Sequence, residues 1–167
     1  MASANWNSEI ALYYKSFKTA MKEQLELCVR GINDSELLDF TVKEEVFTYF
    51  PMNFHGDKQI AFVITDNIKE QISDQSPTGS IYKIGISCQL RLYFGDIQST
   101  SRQADKLEIW TNLVDNYILD QIDVLTTTTY TWQNFITRET ELQLAWINGG
   151  FGSQLTFDCA TDIKTKG

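Results

Sequence analysis

The chain has only one histidine and three cysteines, and this scarcity excludes several kinds of site. A single histidine, His55, rules out centres built from several histidines, and a nucleophile–histidine pair would depend on one residue in a predicted turn. Cys28, Cys88 and Cys159 are far apart, and each lies on the apolar face of its predicted element, so we expect buried thiols. The residues therefore predict no metal site.

Cations are also scarce, with 14 Lys and Arg against 22 Asp and Glu, which gives a net charge of −8. Because DNA-binding surfaces neutralise phosphates with Lys and Arg, this balance argues against specific DNA binding. The longest apolar runs are too short to cross a bilayer, so no membrane association is expected. The stretch Met1–Trp6 lacks a basic region followed by an apolar core, so we expect no export. Residues 1–167 are the size of one domain.

Motifs for nucleotide binding and hydrolysis are absent from the sequence. There is no Walker loop and no nucleophile elbow, and the glycine-rich run Gly149–Gly152 lacks the spacing and the following helix of a dinucleotide site. In a strand, Glu139 and Glu141 would share a face and could support acid–base chemistry if the site were apolar and partly closed. A solvated acidic face is the ordinary interpretation of such a pair.

The strongest pattern that is present runs from Tyr82 to Phe94. Apolar side chains occupy every second position of this run, and only a strand, with its side-chain period of two, places them all on one face. Burying each contributes about 1.5–3 kcal/mol, so the strand needs partners on both edges and a covering layer. We predict that it is the centre of a sheet.

Two amphipathic helices flank this strand. The first is predicted from Asn7 or Ser8 to Arg30, with Gly31 as a left-handed stop. The second is predicted to start at Ser99 or Ser101. Its inward stripe is Ala104, Leu107, Trp110, Val114, Tyr117 and Gln121.

Further strands are predicted at Leu38–Val42, Val46–Phe50, Gln59–Thr65 and Val124–Trp132, and in a terminal hairpin whose turn is Asn148–Ser153. The polar stretch Asp66–Ser80 is predicted to be a long loop at the tip of a projecting hairpin. The order of elements lacks a regular βαβ alternation. We therefore predict an α+β fold with a mixed, mostly antiparallel sheet, two amphipathic helices packed on one face and a long projecting hairpin.

The chain carries more aromatic residues than one small core readily hides, including four Trp and seven Tyr. Aromatic enrichment is typical of protein interfaces. Trp110 is assigned to the core, whereas Trp6 and Trp132 adjoin polar segments and are predicted to lie at a subunit interface. The sequence thus favours a homo-oligomer.

The order of these elements resembles the tail terminator, or tail completion, proteins of the neck of tailed bacteriophages. The resemblance consists of the opening helix, the hairpin that ends in Tyr82–Phe94, the polar break at Gly95-Asp96, a second helix whose tail is Trp110–Leu119, and the closing strands. It implies a ring, commonly a hexamer, that caps the tail tube and joins it to the head connector. Double-stranded DNA would pass through the ring without specific binding.

The same resemblance implies no enzymatic activity and no cofactor, and a location in the virion, in the tail or neck, after synthesis in the bacterial host cytoplasm. The predicted docking residues for neighbouring ring proteins lie in the loop and in the terminal turn: Lys69, Glu70, Asp74, Gly149, Gly150 and Phe151. Two alternatives stay open. One is another neck, connector, tube or baseplate component, and the other is a small soluble ligand-binding domain or enzyme that uses Glu139 and Glu141.

Overall fold

The computed structural model describes residues 8–51, 58–74, 80–96, 101–122, 124–127, 130–145 and 150–164. The elements in chain order are α1 (Ser8–Ser35), β1 (Gln59–Asp74), β2 (Ser80–Asp96), α2 (Ser101–Asn116) with a π-helical turn (Tyr117–Gln121), β3 (Leu125–Thr126), β4 (Thr131–Ala145) and β5 (Gly150–Lys164).

The strands form one antiparallel sheet in the order β1-β2-β5-β4-β3. The predicted central strand is confirmed, because β2 pairs with β1 on one side and with β5 on the other along nearly its whole length. Among the described residues, parallel pairing is limited to an isolated bridge between Phe47 and Ala61. The predicted α+β class, with its mostly antiparallel sheet, is confirmed.

Both helices contribute to a core against one face of the sheet, which we call the inner face. Its β2 residues are buried, each at most 4% exposed: Ile84, Ile86, Cys88, Leu90, Leu92 and Phe94. Phe17, Met21 and Leu25 of α1, spaced by four residues, are fully buried, and so are Leu107 and Trp110 of α2. The helical and strand periodicities thus meet in a single apolar layer.

The first helix ends at Ser35, not at Arg30, so the predicted stop at Gly31 is wrong. Ile32 lies four residues after Cys28 and is 8% exposed, so the buried stripe continues past the glycine. The left-handed conformation falls instead on Glu36, whose φ is 57°. Burial of one more apolar residue outweighs the weak helix propensity of glycine.

The segment from Leu38 to Phe50 does not form the two predicted strands. The Asn33 side chain holds it by donating to the Val42 carbonyl (2.8 Å) and accepting from the Val42 amide (3.0 Å). Val42 and Val46 are buried, yet the β-bridge that the described part of this segment forms with the sheet is the isolated one between Phe47 and Ala61. Alternating apolar residues here reflect packing at a sheet edge and not membership of the sheet.

The predicted loop Asp66–Ser80 is also wrong for its first half, because β1 continues to Asp74, which pairs with Ser80. A bulge between Ile64 and Asp66 shifts the register by one residue. Beyond this bulge the described side chains, from Asp66 to Glu70, are exposed. Their polarity therefore reflects a strand with water on both faces and not a loop. Residues 75–79 lie outside the described residues.

A buried hydroxyl pair joins α2 to β5. Thr111 Oγ1 donates to the Leu107 carbonyl (2.7 Å) and lies 2.6 Å from Ser153 Oγ, which donates to it. Thr111 and Ser153 are both fully buried. Because Ser153 donates to Thr111, losing the Thr111 hydroxyl leaves the buried Ser153 hydroxyl without this partner, whereas Thr111 still donates to Leu107 when Ser153 is lost.

We expect Thr111→Val to lower the free energy of unfolding by about 1–3 kcal/mol, since Ser153 then lies buried without its partner. The double variant Thr111→Val with Ser153→Ala should recover part of this loss. Urea denaturation of the four members of this cycle measures the effect. Strictly additive losses in the double variant would contradict a mutual hydrogen bond.

Candidate interaction surface

Two of the predicted docking residues, Lys69 and Glu70, are exposed on β1. The ammonium of Lys69 lies 5.9 Å from the ring centre of Tyr82 on the neighbouring strand. Asp74 closes the described part of β1 by pairing with Ser80, and its side chain lies outside what the structure describes. The exposed residues are therefore accessible to a partner.

The second predicted docking segment differs from expectation. Gly149 lies outside the described residues, and Gly150 begins β5 opposite Asp96. Phe151 is 5% exposed, and its ring centre lies 5.3 Å from that of Phe94. The prediction of Phe151 as a docking residue is wrong. Because β5 begins at Gly150, Phe151 belongs to the strand, and its side chain lies on the same inner face as that of Leu155.

Trp132 was the predicted interface anchor on β4, and that prediction is wrong. Its side chain is 0% exposed and packs against α1, with ring-centre distances of 5.0 Å to Phe17 and 6.1 Å to Tyr13. Thr126, in the short β3, pairs with Thr131 of β4, and this pairing does not keep the Trp132 side chain in water. Trp6 lies outside the described residues.

Glu139 and Glu141 share one face of β4, opposite Thr156 and Gln154 of β5. Glu139 is exposed and Glu141 is half-buried. Acid–base catalysis by a carboxylate pair requires an apolar, partly closed setting, and this open strand surface does not provide one. Within the described ranges, no cluster of three or more His, Cys, Asp or Glu could hold a metal ion. His55 lies outside those ranges.

The three thiols are buried, as the sequence predicted. Burial raises the pKa of Cys28 to about 12. Burial also raises the pKa of Cys88 and of Cys159, and the neighbouring Asp158 carboxylate adds to both increases. Because a thiolate is the nucleophilic form, these neutral thiols are unsuited to covalent catalysis.

Strand β1 forms one edge of the sheet and is covered along only part of its length. The Ile60 carbonyl accepts from the Phe47 amide (3.0 Å), and the Phe62 amide donates to the Phe47 carbonyl (2.9 Å). These bonds show that Ile60 and Phe62, which oppose Leu92 and Leu90, direct their backbone groups outwards.

The same alternation identifies the outward-facing groups beyond the bulge. Asn67 opposes Ile86 and Lys69 opposes Ile84, so both occupy positions equivalent to those of Ile60 and Phe62 along β2. Their N–H and C=O groups therefore face away from β2. No described backbone segment pairs with this stretch of the edge.

Strand β4 lies next to the opposite edge. The short β3 pairs with only Thr131 and Trp132, so the outer side of β4 from Gln133 onwards has no partner strand among the described elements. Three register shifts against β5 and positive φ values at Asn134 (60°) and Gln143 (59°) interrupt this edge. Such bulges limit indiscriminate edge pairing and favour a partner of matching shape.

The sheet face away from the helices, which we call the open face, carries polar side chains at its centre. Ser87 donates to an Asp158 carboxylate oxygen (2.7 Å), and Arg138 lies 2.8 Å from the other oxygen. Arg91 donates to Gln154 (3.1 Å), and its guanidinium lies 3.9 Å from the ring centre of Phe50. This face is adapted to water or to a polar partner.

One row of the open face is apolar. Ile68 of β1 opposes Gly85 of β2, and Gly85 opposes Ala160 of β5. Gly85 and Ala160 form the floor of a groove of about 230 Å³, and Ile68 is part of its wall. Ile68 is 67% exposed, and Ile136, on the adjacent part of β4, is 58% exposed. Ile68 thus presents an exposed aliphatic side chain beside a shallow groove.

None of the described helices is both long enough and apolar enough to span a membrane. No protein-family model matches the chain, and no curated protein matches it. The surfaces that bear on function are the sheet edges and the open face.

Proposed function

We propose that this protein is a structural component of a tailed-bacteriophage virion that forms a ring, ends the tail tube and joins it to the head connector. The observation that carries the proposal is the presence of two long strands with open outer sides, β1 and β4, towards opposite ends of one sheet. A surface with two different edges favours head-to-tail contacts between copies.

In the proposed ring, the open edge of β1 in one copy pairs with the open side of β4 in the next. Such a contact uses different surfaces on the two copies and generates a closed ring when each step adds a fixed rotation. Sheet twist rotates neighbouring strands by about 20–25°, so continuing the sheet across copies introduces a rotation at each interface.

The net charge of −8 supports the part of the proposal that concerns DNA. A wall that is acidic overall repels phosphates, so that DNA passes through without being held. Tail tube and connector proteins are the proposed neighbours above and below the ring, with Lys69 and Glu70 among the exposed groups available for docking.

We expect Asn67→Pro to abolish ring formation while the chain stays folded. Proline removes an N–H that faces away from β2, and edge strands tolerate proline at such positions. Light scattering measures the particle mass, negative-stain microscopy shows rings, and circular dichroism reports the fold. Asn67→Ala, which keeps the N–H, is the matched control and should still assemble.

Rings that persist in a folded Asn67→Pro chain would contradict pairing at the β1 edge. Immunogold labelling of purified virions tests the location separately: label at the neck supports a terminator, whereas label along the tube or at the baseplate contradicts it.

A further inference from the structure

Gly85 lies in the interior of the central strand β2, paired on both sides, where the fold itself gives no reason for a glycine. A Cβ built on Gly85 meets only the Ile68 carbonyl oxygen, at 4.0 Å, which is ordinary contact. The residue also lies outside the positive-φ region that favours glycine. Because glycine weakens a strand, an interior glycine with free space above it often marks the close approach of another chain.

The groove above Gly85 lies between two rows of charged side chains. The first row lies two positions along the strands from Ile68, Gly85 and Ala160. It consists of the paired residues Glu70, Lys83 and Asp162. The second row lies two positions in the other direction and consists of Asp66, Ser87 and Asp158, with Arg138 bound to Asp158. Four carboxylates against two cations make both rims acidic overall.

This charge pattern disfavours a second copy as the occupant. In an extended segment the residues two positions before and after an aliphatic side chain share its face. None of the large exposed aliphatic residues in the described part of the chain has a basic residue at both of these positions: Leu119 lies between Tyr117 and Gln121, Leu142 between Thr140 and Leu144, and Ile136 has Arg138 on one side only. A segment of a second copy would therefore leave at least one acidic rim without a cation. The occupant must instead supply cations.

The spacing of the rows defines the occupant further. Residues two apart on a strand are separated by about 6.6–6.8 Å. An extended segment running along β2 has the same repeat, so an aliphatic side chain above Gly85 places its second neighbours above the two rims.

We infer that the groove over Gly85 and Ala160 binds an extended segment of a partner protein with the pattern basic–x–aliphatic–x–basic. The aliphatic side chain lies on Gly85 between Ile68 and Ala160. The flanking cations pair with Glu70 and Asp162 on one side and with Asp66 and Asp158 on the other. The site goes beyond the proposed ring and does not depend on it, since all its residues belong to one copy.

The test uses the full chain, labelled with ¹⁵N, and the capped peptide Ser-Lys-Ser-Leu-Ser-Lys-Ser as the probe. We expect the NMR chemical shifts of backbone amides to change saturably with peptide concentration, with the largest changes at Gly85 and Ala160. Gly85→Val should fill the groove and weaken binding by at least about tenfold. Gln89→Val, on the same face of β2 but outside the groove, is the matched control and should bind like the wild type.

Two control peptides separate the contributions of charge and shape. Replacing both lysines by glutamate should abolish binding, and replacing leucine by serine should weaken it markedly. Urea denaturation of Gly85→Val should show no loss of stability, because the added side chain meets open space.

Several results would overturn the inference. They are no binding to the wild-type chain, equal binding to Gly85→Val, and equal binding of the serine peptide, which would indicate charge attraction alone. Shifts at Gly85 that appear with rising protein concentration, without peptide, would identify a second copy as the occupant. Ring formation measured on the same samples reports on the proposed function separately.

Discussion

Replacing Trp132 with alanine should lower the free energy of unfolding by about 3–5 kcal/mol, the usual range for a large aromatic residue in a core. Trp132 is 0% exposed and packs on Phe17 and Tyr13 of α1. The substitution opens a cavity between β4 and α1 that neither element can close without moving. Urea denaturation, followed by tryptophan fluorescence and circular dichroism, measures the loss.

Ile136→Ala is the control on the same strand. Ile136 is 58% exposed on the open face, so its truncation should change stability by at most about 0.5 kcal/mol. If Trp132→Ala instead left stability unchanged and prevented assembly, Trp132 would be an interface residue and not a core residue.

Stability should fall steeply at alkaline pH. Burial raises the pKa of Cys28 to about 12 and raises the pKa of Cys88 and Cys159, whereas an unfolded thiol has a pKa of about 8.5. The folded state therefore retains thiol protons that the unfolded state loses. This contribution is complete below about pH 8.5 and declines as the pH rises towards the folded pKa values.

Each buried thiol contributes a slope of up to about 1.4 kcal/mol per pH unit in that window, so three together approach about 4 kcal/mol per unit. Burial also raises the pKa of Tyr13 and Tyr117, which extends the decline to higher pH. Urea midpoints at a series of pH values above neutrality measure the slope.

Cys28→Ala is the matched control for the alkaline decline. Titration of lysines affects both proteins equally, so the difference between their pH slopes isolates one thiol. The variant should be less stable near neutral pH but show a shallower alkaline decline. An unchanged slope would mean that Cys28 ionises within the folded protein at its ordinary pKa.

The sequence was most informative where one face of an element is buried throughout. The alternation from Tyr82 to Phe94 and the helical stripe through Leu107 and Trp110 both predicted the correct burial. In each case the period of the apolar residues depends only on local backbone geometry. A pattern of this length leaves a single way to place its apolar side chains against a core.

The sequence was least informative where burial depends on distant neighbours. Trp132 lies among threonines, yet α1, more than a hundred residues earlier in the chain, covers it. Asp66–Glu70 is polar enough for a loop, yet pairing with β2 holds it as a strand. Phe151 adjoins glycines, but the start of β5 at Gly150 directs it inwards.

Local periodicity in the sequence by itself determined the α+β class, the central strand and the buried thiols. Only the tertiary structure decided which strands are edges and that Ile68, Gly85 and Ala160 form one row between acidic rims. The reason is that the face on which a side chain lies follows from the local backbone geometry, whereas an edge or a groove depends on which strands, distant in the sequence, pair with one another. Residues from four strands build the candidate binding groove, and no single segment of the sequence contains its pattern.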